Sequence, residues 1–212
     1  MRKIFLATVF ALILGLQSFC GAAVINEARH YEHENIIYPM VDVGDFKINT
    51  KINNAIEAEI NRFIDSAYGN AKDIDAKVAD IRSSYEIGSN QSGNTVILSV
   101  LLTESQYYEG AAHPATFQRA LNFNTSSGEL MDITYLTDIG SGVSKDELLK
   151  KLERKLIEKC KREDLFLYED ATPLKALPDE FYWDKNLHVH FIFQQYEIAP
   201  YAVGIIDVDI NG

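Results

Sequence analysis

The chain has 212 residues, with 20 basic against 31 acidic side chains, a formal net charge of −11, 47% hydrophobic residues and two cysteines. That acid excess argues against nucleic-acid binding, which needs clustered Lys and Arg to neutralise phosphate. It suits a basic partner, whose approach it would speed at low salt.

In chain order, Arg2 and Lys3 precede an apolar run from Ile4 to Leu16, followed by the small residues Gly21, Ala22 and Ala23. This is the pattern of a secretory signal peptide, with an apolar core too short for a spanning helix. Cleavage is expected near Ala22 or Ala23, giving an exported protein, periplasmic or extracellular, with no membrane span. A lipoprotein signal at Cys20 is disfavoured because Phe19 stands where a small side chain is needed. The processed chain of about 190 residues can bury a core without covalent staples. It would carry 18 basic against 31 acidic residues, a net −13, and its single cysteine, Cys160, excludes an internal disulfide.

"ARHYEHENIIYPMVDV" reads as one extended strand ending near Pro39. In "NTKINNAIEAEINRFIDSAYG" the period changes: Ile52, Ile56, Ile60 and Phe63/Ile64 recur at helical spacing, with Asn49 or Thr50 capping the start and Gly69 ending it. "TVILSVLLT" is apolar on both faces and predicts a central strand. "TFQRALNFN" puts Phe117, Leu121 and Phe123 on one side, and the turn "TSSGE" leads into a strand over "LMDITYLTD". A second helix opens with Ser144 and Glu147 in a capping-box relation and carries an apolar stripe of Leu149, Leu152, Leu156 and Cys160. Pairs such as Glu147/Lys151 and Arg154/Glu158 support its wet face. Three strands close the chain, around "EFYW", "LHVHFIFQQ" and "VGIIDVDI". Few helices and many non-alternating strands predict an α+β fold, with a mainly antiparallel sheet and two principal helices in two small lobes. The expected division is signal peptide 1–23, N-terminal subdomain 24–105 and C-terminal subdomain 106–212.

Several residue groups invite a chemical reading. If the last two strands form a hairpin with their apolar sets on one face, His188 and His190 share the other face with Asp207 and Asp209, for example His190 beside Asp209. Without a third histidine in reach, cross-strand ion pairs are expected there and not a metal site. "DVDING" at 207–212 matches the first six positions of a calcium loop but lacks the Glu at the twelfth, so a strand ending in a turn is expected. Cys160 and Trp183 read as core. His113 follows "YYEGAA" with no recognisable nucleophile motif, which favours a loop, structural or ligand-contacting, over a catalytic histidine. In "QQYEIAPYAVG", Pro200 should interrupt pairing, and Tyr196, Glu197 and Tyr201 form either a buried corner or a binding edge.

The stretches "YYEGAAHP" (107–114), "LNFNTSSGELMDITYL" (121–136) and "QQYEIAPYAVG" (194–204) resemble, in that order, the RsiV-like extracytoplasmic domain. That domain is found in an anti-sigma factor and beside PdaC-type peptidoglycan deacetylases. "IIYP" followed by "INNAIEAEINRFI" resembles the smaller PdaC-like subdomain that precedes it. The chain departs from the family at Gly110-Ala111-Ala112-His113, where two glycines commonly precede Ala-His. It also has a cleavable signal in place of the sigma-holding segment and membrane anchor, so sigma inhibition does not carry over, and neither does the chemistry of an appended deacetylase. The resemblance implies a cell-envelope binding module with no catalysis of its own, no metal and no cofactor. Its ligand would be a basic protein such as lysozyme, or cell-wall glycan, contacted through Tyr108, His113, Tyr196, Glu197 and Tyr201. The alternatives are a peptidoglycan-acting hydrolase or deacetylase, and a structural accessory domain.

Overall fold

The computed structural model describes residues 22–91, 96–139 and 143–212; the expected signal peptide lies, apart from its last two residues, outside them. The fold is α+β, with three antiparallel sheets and two main helices. Among the described residues no helix is long and apolar enough to cross a membrane.

The first stretch is a hairpin and not one strand. β1 (Val24–Arg29) pairs with β2 (Ile37–Asp42), and Pro39, opposite Glu27, lies inside β2 instead of ending it. Proline is tolerated because this strand borders no further ladder. Its outer edge is sealed by a side chain: Asn53 accepts from the Val41 N–H at 2.8 Å and donates to the Val41 carbonyl at 2.9 Å.

α1 (Phe46–Asp73) is longer than its apolar period suggests, about 42 Å. The N-cap is Asp45, whose carboxylate accepts from the Lys47 and Ile48 N–H groups, and the helix continues past Gly69 to its C-cap at Ile74. Its buried stripe of Ile52, Ile56, Ile60, Phe63 and Ile64 packs on the second sheet. That sheet has the order β3 (Val78–Asn90), β4 (Ile97–Tyr108), β5 (Ala115–Asn124), β6 (Glu129–Leu130). β4 is central as expected, with Leu98, Ser99, Val100, Leu101 and Leu102 all buried. The register puts Leu98, Val100, Leu102, Leu121 and Phe123 on the face that meets α1. The expected 105/106 division falls within β4. The strand expected over "LMDITYLTD" shrinks to β6, after which one turn of π-helix spans Tyr135–Ile139.

α2 (Lys145–Glu163) opens with the expected capping box: the Ser144 hydroxyl accepts from the Glu147 N–H while the Glu147 carboxylate accepts from the Ser144 N–H. With Glu147 so engaged, no Glu147–Lys151 ion pair forms, whereas Arg154 and Glu158 do approach, at 3.7 Å. The buried stripe is Leu148, Leu152, Leu156 and Cys160; Leu149 is only half-buried beside it. This stripe covers the third sheet, β7 (Glu180–Trp183), β8 (Val189–Phe193) and β9 (Ile206–Asp209), through Phe191, Phe193, Ile206 and Val208. Trp183 is core, edge-on to Tyr135 and Phe181.

β7 crosses the face of the second sheet that α1 leaves free. The Trp183 N–H donates to the Ser99 hydroxyl, which donates to Asn122 Oδ1 at 2.7 Å, and the Asn122 amide donates to the Phe181 carbonyl at 2.7 Å. Side chains of β4 and β5 thus replace a neighbouring strand along β7. The approach is close enough that a Cβ on Gly88 of β3 would collide with the Trp183 carbonyl oxygen.

Candidate functional site

The same device recurs along the outer edge of β5. Its N–H groups would be open to another chain, yet each second one meets a side chain from the third sheet or the turn after it. The Thr116 N–H donates to Gln195 at 3.1 Å, Gln118 exchanges two hydrogen bonds with the Gln194 amide at 3.0 and 2.7 Å, and the Ala120 N–H donates to Glu180 at 2.7 Å. The first two residues of "QQYEIAPYAVG" therefore pin the turn 194–204 to the edge of β5. Sequence reading attached no role to Gln194 and Gln195; an amide doublet at the end of an apolar strand was the available signal.

Once pinned, the turn is held in a set shape. The Glu197 carboxylate accepts from the Gln194 N–H at 2.7 Å, Ile198 and Ala199 are buried, and Pro200 leads into a single 3₁₀ turn over Tyr201–Val203. Burial, with Asp179 and Glu180 nearby, raises the Glu197 pKa above the usual carboxylate value. Tyr196 takes a positive φ of 66° and is 55% exposed. A bulky residue in the left-handed region is uncommon and costs about 1 kcal/mol or more.

The loop between β4 and β5 meets this turn. Gly110, at φ 82°, turns the chain, and the Tyr107 hydroxyl donates to the Ala111 carbonyl at 3.0 Å. His113 then stacks on Tyr201, ring centroids 3.6 Å apart and 20° from parallel. Its Nε2 lies 3.2 Å from the Tyr196 hydroxyl, and the Tyr201 hydroxyl donates to the Pro114 carbonyl at 3.4 Å. The two tyrosine rings are 5.7 Å apart. Three of the five expected contact residues, distant in sequence, thus form one aromatic rim, with Tyr196 exposed and His113 and Tyr201 half-buried. Glu197 supports the turn behind it. Tyr108 belongs elsewhere: its hydroxyl donates to the Ala67 carbonyl of α1.

The rim has the chemistry of a contact surface. Flat aromatic faces with polar tips bury area at low entropic cost. Hydrolysis would need a nucleophile or a carboxylate pair beside His113. Its described partners are Tyr196, Tyr201 and the Pro114 carbonyl.

The histidine–aspartate hairpin has the expected register, with His190 opposite Asp209. The contacts run diagonally: His190 Nδ1 lies 2.7 Å from Asp207 and His188 Nδ1 3.1 Å from Asp209. The Tyr182 hydroxyl donates to the other Asp207 oxygen at 2.7 Å, and its ring stacks on His190. Burial opposes charge on His190, but Asp207, with Asp209 and Asp184, outweighs it and holds the pKa above the ordinary imidazole value. Among the described residues no group of three or more His, Cys, Asp or Glu is arranged to hold a metal. Asp209 ends its strand in a turn, accepting from the Asn211 and Gly212 N–H groups. Cys160 is buried, and desolvation raises its thiol pKa.

A further titratable group was not legible in sequence. Glu104 of β4 is 1% exposed on the α1-facing side of the sheet. One oxygen lies 3.4 Å from Arg62, and the other has no hydrogen-bond partner among the described residues. Arg62 is held by Glu59, and Arg119 by Glu180 at 2.8 Å. Burial, reinforced by Glu59 and only partly offset by the two guanidiniums, pushes the Glu104 pKa up to about 8.

Fold and site together describe an α+β domain in which the 109–114 loop and the 194–204 turn meet in an aromatic rim. Residues 137–211 match the family described as a protein of unknown function, DUF3298. The chain is also similar to the crystal structure of a DUF3298 family member from Bacteroides fragilis, at 18% identity and a TM-score of 0.55, over 89% of this chain and 88% of that one. At that identity the likeness is one of fold. No curated protein matches the chain.

Proposed function

We propose that this chain is an exported cell-envelope binding module, without catalysis of its own, whose ligand is a basic protein of the lysozyme kind. The observation that carries the reading is the meeting of the 109–114 loop with the 194–204 turn, which stacks His113 on Tyr201 and leaves Tyr196 exposed. These are the two stretches whose resemblance to RsiV-like domains implied ligand contact. The strained backbone of Tyr196 and the amide clasp beneath it support a surface built in advance of binding. The acid excess supports a cationic partner.

The first test is retention of the protein on an immobilised basic lysozyme at low salt. Retention that falls with added salt and is lost in His113→Ala and Tyr201→Ala is the expected result. Retention by immobilised cell-wall glycan and not by lysozyme would move the ligand to the glycan. Retention by neither would overturn the reading.

A further inference from the structure

A cavity lies in the N-terminal part of the chain, where the β1–β2 turn rests on the middle of α1. It has a volume of about 180 Å³ and is lined by His30, Tyr31, Tyr38, Glu57, Ile60 and Asn61. That is below the range of whole-ligand pockets and suits a single head group. It shares no residue with the His113–Tyr196–Tyr201 rim.

Three rings and one carboxylate define its chemistry. His30 packs between Tyr31, at 4.8 Å, and His33, at 5.2 Å, and its Nδ1 accepts from the Glu32 N–H at 3.3 Å, which fixes the ring. The row of rings continues from His33 to Tyr68. Tyr38 is half-buried, Ile60 forms a fully buried floor, and Tyr31 is 87% exposed at the mouth. Glu57 projects from the outer face of α1. Among the described residues it has no ion pair or hydrogen bond, and no lysine or arginine lines the cavity. Its field, after burial, contributes to the raised pKa of Tyr38, so the charge is felt inside. Aromatic faces beside an uncompensated carboxylate attract a cation, and an apolar floor favours one that carries carbon.

We propose that this cavity binds the ammonium group of an organic cation, with Glu57 as counter-charge and Tyr31, Tyr38 and His30 as its aromatic walls. The proposal is independent of the rim's ligand.

The test is a ¹H–¹⁵N NMR titration of the protein with choline, with lysine amide and with the uncharged isostere 3,3-dimethyl-1-butanol. Saturable shifts at Tyr38, Ile60 and Asn61 are expected with choline, with the isostere at least about tenfold weaker. Glu57→Gln should weaken choline roughly tenfold and Tyr31→Ala several-fold. Both positions are exposed, and an unchanged spectrum away from the cavity verifies the fold. Lysine amide binding as tightly as choline would assign the cation to a protein side chain; much weaker lysine binding would assign it to a methylated ammonium compound. The proposal is overturned if no cation gives saturable shifts, if the isostere matches choline, or if Glu57→Gln leaves choline binding unchanged.

Discussion

Glu104→Gln separates a proton from the packing around it. In the folded protein the Glu104 pKa is about 8, against an ordinary value of 4.5. The folded state therefore binds this proton more tightly than the unfolded chain. The associated stability is fully present below about pH 4.5 and is lost as pH rises toward 8. Between pH 5 and 7 the loss from this one group is on the order of 2–3 kcal/mol. Glutamine preserves the shape of the neutral acid but cannot ionise. The two proteins should differ by a constant packing offset plus this pH-dependent part, with the variant gaining on the wild type as pH rises. Urea denaturation followed by circular dichroism at pH 5, 6, 7 and 8 measures both. A wild-type curve that falls more steeply than that of the variant by 2–3 kcal/mol over pH 5–7 is expected. Parallel curves would mean that Glu104 is ionised in the native protein and would refute the desolvation argument.

Other consequences follow from the side chains that seal the strand edges. Gly88→Ala should cost roughly 1–3 kcal/mol in a thermal or urea melt, because the new methyl meets the Trp183 carbonyl and the Tyr182 ring. Gln194→Ala strips both partners from Gln118 and should cost about 2 kcal/mol, with faster proteolysis in the 194–204 turn. Asp207→Asn should lower the His190 pKa in an NMR titration, because Asp207 is the leading contribution opposing burial. Since the folded His190 pKa is raised, its stabilisation is present below the ordinary histidine value and lost as pH rises through the folded one; that pH dependence should shrink in the variant.

What could be read from sequence followed the local periodicities. The stripe Ile52–Ile56–Ile60, the Ser144/Glu147 box and the central position of "TVILSVLLT" each need only neighbours in the chain, and each matches the structure. The Asp/His register of the last hairpin followed from requiring both apolar sets on one face. The ends of α1 escaped because its outer turns, "FKIN" and "NAKD", carry little of the apolar period, while Asp45 supplies a cap four residues before the first expected one. The β1–β2 hairpin was missed because a proline inside a strand reads as a terminator unless the strand is known to lie at an edge.

The site was legible as parts and not as an assembly. His113, Tyr196 and Tyr201 were candidates, yet their meeting depends on Gln194 and Gln195 reaching β5, a contact between residues more than 70 apart. Glu104 was invisible for a related reason. A carboxylate just past the apolar run of β4 reads as solvated until α1 is seen to cover it.

The rim of His113, Tyr196 and Tyr201 is proposed to receive a basic protein. The most direct test is the affinity for a basic lysozyme, by biolayer interferometry, of the wild type and of the His113→Ala/Tyr201→Ala double variant across a salt series. Saturable binding that weakens with salt and falls by at least about a hundredfold in the variant is expected. Equal affinity of the two proteins, or no binding at the lowest salt, would contradict it.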